Sequence, residues 1–376
     1  MHTANRKNLI ATIHAARRFA DEKATNPYVR TCRLTSDGET LRIATSNLRT
    51  FYEAPTAAPR HSATPVSLCV KIKDIVRVLR SLRGESVELS DHGGDLEIRQ
   101  GTRRFLLPGL DAYDFPEPAP GFEEPVALAP ADALHVALSR VLPSISKGAL
   151  LDLEDGRMHW AGTDGHRLTV HEIEASTNVD LWCNLLRQAD ISNAIVPRDV
   201  IAFLVRTLMG QGGDVAVRLS SKAQFIRLDL PGGIVLVTHL KDGEFPDYRL
   251  VLEGPAPAAR VVLRRAALLE TLRTVCKGFD FGRCPVIRVE VNGTTIAITA
   301  SCPSTGRFQD ELSIVRRRGA RAPITVGLNP FFVQDAIDGI SSEEVELGMT
   351  DEDRMVRFQL PGNEGWNQTV LMPVRL

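Results

Sequence analysis

The sequence predicts an α+β fold assembled from three repeats, each made of two half-units that run strand, helix, then short strands. Three observations lead there. Strand-then-helix openings occur three times: residues 2–5 ahead of a helix over 9–19, residues 126–128 ahead of one over 131–142, and residues 260–263 ahead of one over 266–276. Each is followed by a hairpin signal, Asp37-Gly38, Asp155-Gly156 and Asn292-Gly293, at separations of 118 and 137 residues. A second helix begins near Lys73, Arg198 and Asn329, separated by 125 and 131 residues.

The elements between these landmarks agree with them. Ile72, Ile75, Val76, Leu79 and Leu82 form an apolar stripe at helical spacing. Val215-Ala216-Val217-Arg218-Leu219 and Phe225-Ile226-Arg227-Leu228-Asp229-Leu230 alternate as half-buried strands do. Runs of strands after a single helix imply antiparallel sheets. The motif Asp114-Phe115-Pro116 returns as Glu244-Phe245-Pro246. Pro-rich joints at Pro116-Glu117-Pro118-Ala119-Pro120 and Gly254-Pro255-Ala256-Pro257 divide the 376 residues into expected domains 1–123, 124–254 and 255–376.

Composition narrows the class. Hydrophobic residues make up 43% and charged residues 24%, as in soluble globular chains. No apolar run reaches the ~18 residues of a membrane helix, and the N-terminus lacks a signal-peptide core, so a cytoplasmic protein without membrane contact is expected. Cys32, Cys69, Cys183, Cys276, Cys284 and Cys302 are scattered, which favours reduced thiols. Net charge is −1, too small for nucleic-acid binding by bulk charge, so its distribution matters. Lys73, Arg77 and Arg80 line one helix face; Arg17 and Arg18, then Arg265, Arg273 and Lys277, lie off the apolar stripes of theirs. Such faces are ordinarily solvated, but their recurrence on equivalent helices suggests a shared polyanion-facing surface. The sixth helix differs, with Asp335 and Asp338 on its polar side.

Catalytic motifs are missing. There is no Walker loop, dinucleotide fingerprint, nucleophile elbow or reactive-cysteine signature, so neither cofactor nor catalysis is expected. His159, His166 and His171 with Asp164 and Glu172 leave a metal-dependent hydrolase as the alternative of another class, without any established ligand spacing. Trp160 and Trp182 read as packing residues. The tail over 369–376 ends the chain on mostly apolar residues, as peptide-binding surfaces do.

Four stretches together resemble the bacterial DNA polymerase III β subunit, the DNA sliding clamp family. They are Thr163-Asp164-Gly165-His166-Arg167-Leu168, Ile195-Val196-Pro197-Arg198, Asp242-Gly243-Glu244-Phe245-Pro246-Asp247-Tyr248-Arg249 and Met372-Pro373-Val374-Arg375-Leu376. The resemblance spans essentially the whole chain. It implies a non-catalytic, head-to-tail homodimeric ring, helices inside and sheets outside, that encircles double-stranded DNA and tethers the polymerase III catalytic subunit, the clamp loader and other clamp-binding-motif proteins. Twelve helices at roughly 9 Å each leave a hole of roughly 24 Å. A specialised or mobile-element clamp with altered partner choice is the runner-up.

The resemblance also implies site residues. A partner-peptide groove falls on Thr163, Gly165, His166, Arg167, Leu168, Pro246, Val251, Phe332, Val370, Leu371, Met372, Pro373, Val374, Arg375 and Leu376, with His166 and Arg167 as rim donors. DNA-facing positions are Arg17, Arg18, Lys23, Lys73, Arg77, Arg80, Lys147, Arg198, Arg265, Arg273 and Lys277. The ring interface pairs Val78, Phe105 and Leu107 with Val275, Cys276 and Leu312. Three departures stand out. Leu250 replaces a common second Arg, Ile145-Ser146-Lys147-Gly148 is short, and Ser304-Thr305-Gly306-Arg307 replaces an acidic run, which points to ring closure by apolar contact more than by ion pairs. His-Arg-Leu occurs in the middle repeat alone, so one groove per chain is expected.

Overall fold

Helix α1 (Arg6–Ala16) starts where the Asn5 side chain accepts from the backbone N–H groups of Lys7 and Asn8, and it buries Leu9, Ile13 and Ala16. The computed structural model describes residues 2–36, 40–56, 66–118, 121–122, 124–222, 224–282, 285–303, 306–363 and 365–376. The expected turn at Asp37-Gly38, the joint residues Ala119 and Pro120, Cys284 and Ser304-Thr305 lie outside them. Among the described residues seven further helices follow: α2 (Ile72–Ser81), α3 (Ala131–Val141), α4 (Val179–Gln188), α5 (Arg198–Thr207), α6 (Tyr248–Leu252), α7 (Arg265–Gly278) and α8 (Pro330–Asp338). The first helix starts and ends three residues earlier than expected, because Asn5 caps it and Arg17–Phe19 tightens into a 3-10 turn.

Each repeat contributes one helix pair. α1 packs on α2 and α7 on α8, while the His135 imidazole of α3 meets the Val205 carbonyl of α5 at 2.8 Å. The apolar stripe of α2 buries Ile72, Ile75, Val76, Val78 and Leu79 as its spacing requires. Gly156 and Gly293 turn their hairpins at φ 69° and 57°, a left-handed conformation that glycine adopts without steric cost.

Two units emerge from chain contacts. Unit 1 comprises Met1–Ala131, Asn178–Ile191 and Gln211–Leu240; unit 2 comprises Asp132–Thr177, Ser192–Gly210 and Lys241–Leu376. The central repeat is therefore shared between them. In unit 1 a four-stranded antiparallel sheet runs His2–Asn5, Ser86–His92, Asp95–Gln100, Arg103–Leu107. A longer sheet carries the last strands of the central repeat into those of the first, where Ile234–His239 pairs with Thr50–Thr56. Unit 2 has its own four-stranded sheet ending on the edge strand Gly306–Ser313. Its nine-stranded sheet joins the central and third repeats where Arg167–Glu174 pairs with Gln368–Leu371.

Trp160 and Trp182 are core residues, the first fully buried and the second nearly so. In unit 2 a large cluster gathers Leu268, Leu272, Val289, Ile298, Val326 and Phe358 between the helix pair and both sheets. Among the described residues, no helix is long and apolar enough to cross a membrane.

Candidate peptide-docking site and basic helix faces

The site in unit 2 begins at the turn before Arg167–Glu174. Asp164 Oδ1 accepts from the backbone N–H of His166 at 3.0 Å and of Arg167 at 3.1 Å, while Gly165 takes φ 87°. Thr163 Oγ1 donates to the Arg167 carbonyl at 2.7 Å and accepts from the Gly165 N–H at 3.1 Å. Next, Leu168 pairs with Val370, and the Met372 N–H donates to the His166 carbonyl at 2.8 Å. Beyond Met372 the tail crosses Gly327, whose carbonyl accepts from the Val374 N–H at 2.8 Å. A Cβ at Gly327 would lie 2.2 Å from the Val374 carbonyl oxygen, so the tail seats where there is no side chain.

Leu168, Val370, Tyr248 and Leu252 form an apolar floor against which Phe245, Val251 and Trp366 pack. Pro246, Met372, Arg375 and Leu376 are exposed above it, with Pro373 and Val374 half-buried. Helix α6 is set by Asp247, whose carboxylate caps the N–H groups of Arg249 and Leu250. Tyr248 Oη donates to Asp152 at 3.1 Å, and Arg249 pairs with Asp152 at 2.8 Å and with Glu154.

Two expected roles are corrected. Arg167 is not a rim donor, because its guanidinium is spent internally, and its side chain is only 9% exposed. It binds Asp164 at 2.9 Å, Asp335 of α8 at 2.7 Å and the Pro143 carbonyl at 2.5 Å, and lies 4.2 Å over the Phe332 ring. Leu371 does not line the groove: strand alternation turns it from Val370 into the large core of unit 2. His166 stays exposed, 6.4 Å from the Phe332 ring centroid. Reading the sequence missed Asp335 as the partner of Arg167; the signal was an acid on the polar side of the one helix that broke the basic pattern.

The basic positions split into engaged and unpaired groups. In unit 1, Arg17 and Lys73 share Glu22 at 2.7 and 2.8 Å, and hydrogen bonding from Lys73, then Arg17, holds that carboxyl below its ordinary range. Arg77 pairs with Asp74 at 2.8 Å, and Arg80 meets His14 at 2.8 Å. In unit 2, Arg265 caps the Ile337 and Asp338 carbonyls at the end of α8, Arg273 pairs with Asp338, and Arg198 donates to the Ile145 carbonyl. Arg18, Lys23, Lys147 and Lys277 are exposed and make no ion pair among the described residues. Of the expected interface positions, Phe105, Leu107, Cys276 and Leu312 are half-buried. Val275 (1% exposed) and Val78 (8%) are closed inside their own units, because their helices turn them to the core, so neither offers appreciable surface to a partner.

His159 and His171 are buried, and burial lowers the pKa of both. Among the described residues, no three His, Cys, Asp or Glu side chains converge where an ion could sit.

Comparison with known proteins decides the family. Residues 1–119, 136–247 and 257–375 match the N-terminal, central and C-terminal domains of the DNA polymerase III beta subunit, in that order. The chain belongs to the DNA polymerase III β subunit family. Members of that family are non-catalytic sliding clamps of DNA replication. The chain is similar to the beta sliding clamp of Pseudomonas putida, 24% identical over 400 residues and 100% of both chains. It is 26% identical over 322 residues to that of Escherichia coli, covering 81% of this chain and 80% of the other. The fold is similar to the solved sliding clamp of Bacillus subtilis, with TM-score 0.86, 17% identity and 100% of both chains covered. A Pseudomonas aeruginosa clamp solved with ligand gives TM-score 0.86 and 22% identity, covering 100% of this chain and 99% of that one.

Proposed function

We propose that two copies of this chain close head to tail into a ring that encircles duplex DNA and tethers the polymerase III catalytic subunit, the clamp loader and other motif-bearing proteins. DNA and DNA polymerase III follow as partners from sliding-clamp identity. The observation that carries the ring is the pair of open edges. Each repeat junction within a unit is a continuous antiparallel sheet, whereas the two four-stranded sheets each end on one side at an edge strand, Arg103–Leu107 and Gly306–Ser313 respectively. Joining one to the other across two copies supplies a third kind of junction and consumes both edges. Phe105 and Leu107 face Leu312 and Cys276 in that reading, and Arg103 and Arg104 lie across from Asp310 and Glu311.

Repeat boundaries at 1–123, 124–254 and 255–376 accommodate the three family matches without overlap. Of the expected DNA-facing positions, Arg18, Lys23, Lys147 and Lys277 have most freedom to meet phosphates, and the partner peptide lies over Leu168, Pro246, Val251, Val370 and residues 372–376. A second reading, a clamp with altered partner choice, is favoured by Leu250, 69% exposed on α6 where a cation is common in the family. A panel of peptides with and without an acidic residue beside the apolar anchors tests it.

The deciding experiment loads the protein on nicked circular DNA. Retention that is lost on linearisation supports encirclement; retention indifferent to DNA ends sinks it.

A further inference from the structure

The junction in unit 1 reproduces the one in unit 2 residue for residue in register. Phe51 lies opposite Val237 as Leu168 lies opposite Val370. The His239 N–H donates to the Arg49 carbonyl at 2.8 Å, as Met372 does to His166. By that register Ser46, Arg49, Phe51 and Val237 hold the places of Thr163, His166, Leu168 and Val370. Pro116, from the repeated Phe-Pro motif, holds that of Pro246.

These positions surround an open cleft of about 90 Å³, lined by Ser46, Leu48, Phe51, Pro116, Phe225 and Val237. Its floor is apolar: Phe51 and Val237 are buried in a cluster with Ala44 and Phe115, and Phe225 packs on it. Leu48 stands at the rim, 61% exposed, in the left-handed region at φ 71°. That conformation is costly for a branched side chain. Ser46 Oγ accepts from the Leu48 N–H at 3.2 Å, and Asn47 Oδ1 accepts from Arg49 and Thr50 at 3.0 and 2.7 Å, which holds the turn in place.

Charge selects the occupant. Glu117, on the cleft wall, is already paired with Arg33, whereas Arg49 is exposed and makes no ion pair among the described residues. The cleft therefore offers one apolar recess and one uncommitted guanidinium.

We propose that this cleft is a second peptide-docking site of the chain, for an extended segment that places a Leu or Phe side chain in the recess and a carboxylate on Arg49. The inference rests on the docking role read for unit 2, whose register it shares. It revises the expectation of one groove per chain, since the missing His-Arg-Leu changes the chemistry of the site and leaves its register.

The probe is a fluorescein-labelled octapeptide carrying Leu-Phe-Asp, with a benzophenone version for cross-link mapping, offered to the full chain. Two binding phases are expected. Deleting residues 372–376 should leave one phase, which Arg49→Glu weakens at least tenfold and Arg49→Lys largely preserves, with cross-links at residues 46–51 and 225–237. Cross-links confined to 163–168 and 246–251 in the intact chain, with no binding after the deletion, overturn the second site and leave the docking role of unit 2 standing. Cross-links confined to 46–51 and 225–237 support the second site and overturn the role of unit 2. Absence of binding to the intact chain overturns both.

Discussion

At the junction in unit 2 a guanidinium stands where the junction in unit 1 has a hydroxyl. Arg167 and Leu371 face each other in one ladder, Thr50 and Thr238 in the other, and the two threonine hydroxyls meet at 2.9 Å. Arg167 reaches further, tying the Asp164 turn, the Pro143 carbonyl and Asp335 of α8 to one side chain. The same register thus carries a long-range brace in one unit and a local hydrogen bond in the other. A repeated scaffold can keep its ladder while one side chain decides how many segments the joint holds together.

The largest effect should come from Arg167→Ala. Removing a cation this enclosed strands Asp164 and opens the contact with Phe332, and a loss of about 3 kcal/mol is expected in urea unfolding. A loss under about 1 kcal/mol would show that the brace is ornamental. Deleting residues 372–376 should remove the partner-peptide binding phase of unit 2, a loss of at least about 30-fold, or about 2 kcal/mol. Dimerisation by ultracentrifugation should not change, and an unchanged peptide affinity would count against the docking site.

Acid should separate the two units next. Burial, then the charge of neighbouring Arg140, pushes His171 down to about 3, and its place in unit 1 is taken by Ala54. The unfolded chain protonates this histidine below about pH 6.5 while the folded chain resists. Stability therefore falls as pH drops from about 6.5 to about 3, by at most about 1.4 kcal/mol per pH unit. Buried His159 is lowered too, with burial outweighing the pull of Glu154, and adds in the same direction. Hydrogen exchange at pH 5 should show unit 2 amides losing protection before those of unit 1, and His171→Gln should narrow the gap. The smallest effect is Thr50→Val, about 1 kcal/mol from one hydrogen bond. A double substitution with Thr238→Val that costs no more than either alone would confirm a pairwise contact.

Local patterns foretold the local elements. The stripe on α2, the turns at Gly156 and Gly293 and the Asn329 cap of α8 each lie within a few residues of their cause. Helix α4 is not legible in the repeat pattern although Asn178 caps it and Trp182 and Leu185 share its buried face, because among the described residues no other repeat has a counterpart to align with it. The site was readable in position and not in role. Arg167 looked available because its partner Asp335 lies 168 residues away, and which face Leu371 turns to depends on a ladder that no sequence window contains. A basic residue beside a turn carries no local mark of being already engaged.

The sharing of the central repeat between units also sets a clock. Thr50–Thr56 cannot complete its outer ladder until Ile234–His239 has been made, about 180 residues later. At about 5–20 residues per second the first repeat waits roughly 10–35 s with one strand edge open. Arg167–Glu174 waits comparably for Gln368–Leu371, made about 200 residues later. Both strands thus keep one edge open while the chain between each pair is made, and whatever shields those edges during synthesis governs how much of the protein reaches the folded state.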